Sequence, residues 1–455
     1  MRQNVNLMEG RILPALVRLA VPITATSLIQ MAYNMTDMIW IGRVGSGAVA
    51  AVGAAGMYSW LANGLAMLCR MGGQVHSAQA LGAGKPAQAG AYAKTALIMG
   101  AVFGILFGVA ALLFHEPLIG FFQLNSPLVV ADAQIYMMIT CGGIVFNFLN
   151  QIMTGLLTAS GNSTVPFVAT TVGLAANIVL DPLLIFGIGP FAELGVMGAA
   201  IATVLAQVIV TGIMAFFALR DRVLFCHIRW KERLHWDPVR KIVRIGLPTA
   251  VQSMIFSGIS MVIARIIAGW GDAAVAVQKV GSQIESISWM TADGFSAAIN
   301  AFIAQNHGAG NRERVRKGYY TSLTIVVLWG LITTFLLVVF PEAVFRIFIP
   351  EEEVIPMGVD YLRILGISQL FMCLEITTEG SFAGLGKTLP PSIISIIFTS
   401  ARIPLALLLA ATALGLNGVW WSISISSIIK GVILFCWFLI FLHKIYLRGR
   451  MKPVR

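Results

Sequence analysis

LPALVRLAVPITATSLIQMAYNMTDMIWI, residues 13–41, is longer than the roughly 20 apolar residues a helix needs to cross a bilayer, yet it carries Asp37. An ionised carboxylate at the centre of a spanning helix costs about 2.5–3.5 kcal/mol on insertion scales. It therefore faces protein or a water-filled cavity and marks function by default. Ser27, Gln30, Asn34 and Asp37 are spaced three, four and three apart, which is one stripe of an α-helix. The stretch reads as a retained transmembrane helix with a single polar face turned inward. It lacks the short apolar core and small-residue cleavage site of a signal peptide.

The rest of the chain is of the same kind. Of 455 residues, 58% are hydrophobic and 11% charged, against about 25% charged in soluble domains. Apolar runs recur near 13–41, 47–69, 91–114, 133–158, 164–188 and 194–219, then near 243–269, 274–303, 317–341, 359–384, 391–414 and 417–443. The short alternating segments of a transmembrane barrel are missing. The expected fold is all-α and integral to the membrane, with 12 transmembrane helices. Cys69, Cys141, Cys226, Cys373 and Cys436 are scattered, with no CxxC or metal spacing, and read as packing residues.

A net charge of +11 could suggest nucleic acid, but its placement points to membrane topology. Arg220 to Arg244 holds eight Lys and Arg, Arg312 to Lys317 four, and Lys444 to Arg455 five, while an alternate loop is acidic (Glu351, Glu352, Glu353). This positive-inside pattern puts both termini and the middle loop in the cytoplasm of a cell-membrane protein and implies an even number of spans. The middle loop also carries Trp230 and Trp236, as an amphipathic segment at the inner surface would. Residues 1–219 are thus expected to form an N-lobe of six helices, 220–242 a basic linker, and 243–455 a C-lobe of six.

The two sets are repeats. Adding 226 to positions from Pro22 to Gly84 recovers the second half without a gap: Pro22 meets Pro248, Ser27 meets Ser253, and Gly82-Ala83-Gly84 meets Gly308-Ala309-Gly310. Further on the offset is 225, so that Gly161 meets Gly386 and Pro166 meets Pro391. An even number of spans per repeat makes the repeats parallel, related by an axis along the membrane normal. In transporters of that plan the binding site lies near mid-membrane.

The repeated backbone does not repeat its acids. Asp37 has Ile263 as its mate, while Asn177 and Asp181, four apart, have Arg402 and Ala406. Glu375 and Glu379, also four apart, have Asn150 and Thr154; Glu285 and Asp293, on a broad face with Ser282 and Trp289, have Ser59 and Met67. A purely structural need would place similar groups in both copies, so the asymmetry favours specialised sites; the alternative is helix–helix glue. Two carboxylates in one poorly solvated pocket do not both stay ionised without help. One takes a proton, or a cation sits between them. Asn177 and Thr203 would offer neutral oxygens to a sodium ion. The second-half acids and Trp289 would draw a lipophilic cation, unless Lys279, Arg402 or Lys430 neutralises them internally. The twenty methionines fit a pliable lining or ordinary packing.

No Walker-type loop, His-Glu-x-x-His or Gly-x-Ser-x-Gly is present. His76 and His307 are explained by helix ends at a Gly-Ala-Gly turn. Four motifs together, YNMTDMIWIGRVG (33–45), AQALGAG (78–84), NIVLDPLLIFG (177–187) and AFIAQNHGAG (301–310), resemble the multidrug and toxic compound extrusion (MATE) family over nearly the whole chain. The resemblance implies a V-shaped pair of lobes with alternating access and cation-coupled export of organic cations and dyes. It assigns Asp37, Asn177, Asp181, Thr203 and Asn150 to an N-lobe ion-coupling pocket most similar to the DinF and archaeal branches; a sodium ion, if that is the coupling ion, is expected at Asp37, Asn177 and Asp181. The span 7 glutamate of the NorM branch has no counterpart in PTAVQSMIFSG (248–258), where Phe256 or a neighbour falls. Glu375, Glu379, Glu285, Asp293, Arg402, Trp289, Asn34 and Gln30 remain as substrate-side candidates.

The expected activity is antiport of amphipathic or cationic compounds against H⁺ or Na⁺. The protein is expected to be a monomer in the lipid bilayer, with small organic cations as partners and no cofactor or nucleic acid. A flippase for a lipid-linked precursor shares the duplicated plan but would line its cavity with Arg and Lys. A membrane enzyme acting on lipid phosphates would want acids and histidines clustered at a membrane face, and a channel would want a ring-forming filter; neither pattern is present.

Overall fold

The computed structural model describes residues 5–122, 126–189, 192–348 and 352–450. Met1 to Asn4, Glu351 of the acidic loop and the basic tail beyond Arg450 lie outside the described residues. The chain is helical, with no strand among the described residues. The helices are α1 (Ile12–Val44), α2 (Ser46–Gly82), α3 (Pro86–Leu113), α4 (His115–Gly120), α5 (Pro127–Gly142), α6 (Ile144–Ala159), α7 (Thr164–Ile185) and α8 (Gly195–Leu219). After a 3₁₀ turn at Phe225–His227 come α9 (Trp236–Ala268), α10 (Asp272–Gly308), α11 (Arg312–Val339), α12 (Pro341–Arg346), α13 (Ile355–Gly384), α14 (Leu389–Ser400), α15 (Arg402–Ala410) and α16 (Leu416–Arg450).

Nine helical stretches among the described residues are long and apolar enough to span a membrane, and the pair α5 and α6, bent by 44°, makes a tenth. The glycine- and polar-rich α2 and α10 complete two sets of six. The repeat is legible in helix lengths. α2 and α10 have 37 residues each, α3 and α11 have 28, and α4 and α12 have 6. α2 and α10 outrun the expected 47–69 and 274–303. They continue to Gly82 and Gly308 and turn at Gly84 (φ 68) and Gly310 (φ 74), a left-handed backbone that glycine adopts without steric cost. The copies differ where one is broken. α13 is continuous, whereas its mate divides at Gly142-Gly143, and there a Cβ on Gly143 would come within 2.7 Å of Val204 Cγ1.

The chain divides into two compact units. One comprises Met1–Val5 and Ala25–Ala250, the other Asn6–Thr24 and Val251–Arg455. The boundaries fall inside α1 and α9, just after Pro22 and Pro248, and not in the 220–242 loop. They are repeat mates, 24/25 and 250/251. Each unit therefore contains the opening segment of the helix that begins the other. Close backbone approaches explain the grouping. Any Cβ on Gly246 of α9 would overlap the Leu68 carbonyl of α2, and one on Gly294 of α10 would overlap Thr24 of α1.

In the first unit, buried alanines and glycines of α2 and α3 bring helices together around Ile152, Met153, Leu156 and Met214. The middle loop is tied down by Lys94, whose buried Nζ donates to the carbonyls of Arg229 (3.0 Å) and Glu232. In the second unit Trp420, Tyr361, Phe345 and Leu362 centre the core. Cys69, Cys141 and Cys373 are buried as packing residues, but Cys226 and Cys436 are exposed. Cys226 lies in the surface loop, and Cys436 lies on an outward face of α16.

Candidate functional site

Asp181 is fully buried on α7, and so is Asn177 one turn earlier, whose Nδ2 donates to Asp181 Oδ1 at 3.1 Å. The apolar sequence of α7 buries this face, and Pro182 follows within the helix. Asp37, half-buried on α1, lies close enough to Asp181 for the two carboxylates to interact electrostatically. Tyr33, one turn before Asp37, donates its hydroxyl to Thr203 Oγ1 on α8 at 3.2 Å. Thr203 in turn donates to the Ala199 carbonyl at 3.0 Å. Three acceptors in this group are buried without a hydrogen-bond partner: Asp37 Oδ1, Asn177 Oδ1 and Asp181 Oδ2. Buried oxygens of this kind are costly unless a proton or cation meets them. A sodium ion here would use amide and hydroxyl oxygens beside the two carboxylates, a donor set suited to a hard cation.

Asn150 bonds to α8 one and two turns beyond Thr203. Its Nδ2 donates to Gln207 Oε1 (2.7 Å) and the Gln207 carbonyl (3.1 Å), and its Oδ1 accepts from Thr211 (2.8 Å). Its polar atoms are engaged in an α6–α8 bridge. The polar stripe of α1 is unevenly buried. Only its Asp37 end and Ser27 are half-buried, while Gln30 and Asn34 are exposed. Burial on this stripe varies with position along the helix, near the point where α1 passes from one unit to the other. Tyr33 was missed, although it lies four residues before Asp37 on nearly the same face. Buried Tyr136 also approaches Asp37, and no spacing rule connects it to α1.

The second unit holds a buried polar network. Lys430 Nζ lies 2.6 Å from Glu375 Oε1. Ser395 Oγ lies 2.6 Å from Glu379 Oε1 and 3.2 Å from Glu375 Oε1, and Gln252 Nε2 donates to Glu379 Oε1 at 2.9 Å. Gln369 Nε2 donates to Glu285 Oε2 at 3.1 Å. Arg402, buried at the start of α15, donates to Ser426 and Ser427, both at 3.1 Å. Its charge acts on Glu375 and Glu285. The partners are therefore Lys430 and Arg402, and Lys279 is exposed. Asp293 and Trp289 are exposed on α10, whereas Glu285 is buried. Both lie roughly 40–80° round the helix from Glu285, at 100° per residue. Glu285, Asp293 and Trp289 share a broad face of α10, along which burial differs from residue to residue. Gln252, Gln369 and Ser395 were missed because amides and hydroxyls in spanning helices are common.

The MatE family model matches the chain twice, over residues 22–183 and 248–408, with starts 226 and ends 225 apart. The chain is 30% identical over 411 residues to a probable multidrug resistance protein NorM of Thermotoga maritima, covering 89% of this chain and 87% of that protein. It is 26% identical to an FAD transporter of Shewanella oneidensis over 80% of each. A solved MATE structure in a bent conformation, 24% identical, superposes with a TM-score of 0.91 over 99% of this chain and 100% of that one. Two family matches cover most of the sequence, in register with its internal repeat, and the chain is a multi-pass membrane protein of the MatE family.

Proposed function

We propose that the protein is a multidrug exporter that moves amphipathic organic cations out of the cell in exchange for H⁺ or Na⁺, by alternating access of its two lobes. The single observation that carries the coupling role is the set of three unpartnered buried oxygens on Asp37, Asn177 and Asp181. Entry of a proton or sodium ion would relieve their desolvation and stabilise one arrangement of α1 against α7 and α8. Its release would favour the other. An ion that binds one state better shifts the equilibrium by that difference in affinity. Glu379, with its network on Gln252 and Ser395, is the substrate-side acid in this reading. Glu375 is already paired with Lys430. The cytoplasmic placement of both termini and the cell membrane follow from the charge pattern, and a monomeric state is a further part of the proposal.

The test uses proteoliposomes with pH and sodium gradients imposed separately and a cationic dye as cargo. Wild-type protein should move dye with at least one of the gradients, and Asp37→Asn and Asp181→Asn should abolish the gradient response. Unchanged gradient-driven transport in both variants would remove the coupling role. The FAD transporter among the relatives favours a second reading, export of an anionic cofactor. In the same vesicles, uptake of FAD and not of dye would select it.

A further inference from the structure

We propose that the second unit carries a binding site for an anionic phospholipid of the cytoplasmic leaflet, at the junction of the segment before α1 with the start of α11. It goes beyond the transport reading and rests only on the topology proposed above. A shallow, open cleft of about 690 Å³ lies here, lined by Arg11, Leu13, Arg316, Lys317 and Tyr320. Three cationic side chains reach one cleft. Glu313 pairs with Lys317 at 2.8 Å and also interacts with Arg316, so three cations in the lining stand against one carboxylate. Basic pockets at the cytoplasmic ends of spanning helices suit lipid phosphates.

The apolar surface below the cleft argues for a lipid and not a soluble anion. Tyr320, Leu328, Leu331, Ile332 and Phe335 are all about half exposed along α11, and Leu13 is exposed beside the cleft. From Tyr320 to Phe335 is roughly 22 Å of helix at about 1.5 Å per residue. That length of apolar surface can seat an acyl chain while the phosphate meets Arg11 and Arg316.

The cleft is held in shape from behind. Arg314 Nε donates to the Leu7 carbonyl (3.2 Å), Nη1 to Gly10 (2.9 Å) and Nη2 to Glu9 (2.9 Å), and Asn306 Nδ2 also donates to Leu7 (3.0 Å). The segment that presents Arg11 is thus pinned to α10 and α11. A lipid bridging Arg11 and Arg316 would fasten the opening segment of α1, the helix that continues to Asp37.

Native mass spectrometry of the full-length protein in detergent, given equal phosphatidylglycerol and phosphatidylcholine, tests the site. Wild type should retain phosphatidylglycerol preferentially. Arg11→Gln/Arg316→Gln should reduce that preference about tenfold, and Arg240→Gln/Arg244→Gln, exposed basic residues elsewhere, should not. Lys317→Gln, at a more exposed position, should give a smaller loss and serves if the double variant fails to fold. Retention unchanged in the cleft variants, or lost equally in the Arg240/Arg244 variant, would overturn the proposal. So would displacement of the lipid by millimolar inorganic phosphate, which would make the site one for a free anion.

Discussion

Asn177 Nδ2 donates to Asp181 Oδ1 at 3.1 Å across one turn of α7, and the oxygen left on each residue is buried with no partner. The bond fixes which atoms face the pocket. The amide orients the carboxylate, and its own carbonyl then lies ready as a neutral acceptor. Asn177→Ala removes both functions and leaves the acid in place. A hydrogen bond to a charged group is worth about 1.5–3 kcal/mol. The sodium concentration needed for half-maximal transport should therefore rise roughly tenfold or more, with the maximal rate changed less; with the proton as coupling ion the sign reverses, because a carboxylate that has lost its donor holds a proton more tightly. Transport against a titrated ion gradient reads this directly; an unchanged half-maximal concentration would show that the amide has no part in ion binding.

The Lys430–Glu375 pair predicts a pattern in stability. Both side chains are more than nine-tenths buried and lie 2.6 Å apart. Removing one partner of such a pair strands a charge and costs about 3–5 kcal/mol, whereas replacing both with apolar groups is often neutral. Lys430→Met should lower the melting temperature of the detergent-solubilised protein sharply, and Lys430→Met/Glu375→Met should recover most of the loss. If Lys430→Met melts like wild type, the pair is not the structural tie argued here.

The sequence showed the helices, the repeat and the acids of α1 and α7, because each rests on a strong local signal. A carboxylate in a long apolar run is expensive, and i, i+4 spacing brings Asn177 and Asp181 together without any tertiary information. It did not show which unit each half of α1 and α9 belongs to. Repeat register says which helices are equivalent and not what each packs against. Nor did it separate buried Glu285 from exposed Asp293, since both lie on one broad face of α10 and burial differs along the helix. Asn150 is assigned to the pocket by the family resemblance, and its α8 partners, Gln207 and Thr211, are too distant in sequence to be read from spacing.

The exchanged opening segments depend on close backbone contact. On α9, Gly246 meets the Leu68 carbonyl of α2, and on α2, Gly72 meets the Ile242 carbonyl of α9. Backbone cannot move aside as a flexible side chain can. Gly246→Ala should therefore destabilise by about 1–3 kcal/mol despite the higher helix propensity of alanine. Gly212→Ala on α8, where a Cβ meets nothing within 4 Å, is the control and should be neutral or stabilising by up to about 1 kcal/mol. Melting temperatures of the two variants compare them. Equal behaviour would mean that α2 and α9 are not held at backbone contact.

Arg314 offers the last test, because its fork is used on three carbonyls at once. Its guanidinium also sits 5.3 Å from the centre of the Phe302 ring, so its plane is held as well as its charge. Lysine keeps the charge but cannot reproduce a planar fork with several fixed donors. Arg314→Lys and Arg314→Ala should both loosen residues 6–11, with alanine no more than about threefold worse. Hydrogen exchange at Met8 to Arg11 and proteolytic cleavage in that segment are the measurements, compared with α3 as an internal reference. A charge-only role predicts that lysine protects the segment as well as arginine does. Loss of protection in both variants assigns the effect to the geometry of the three bonds.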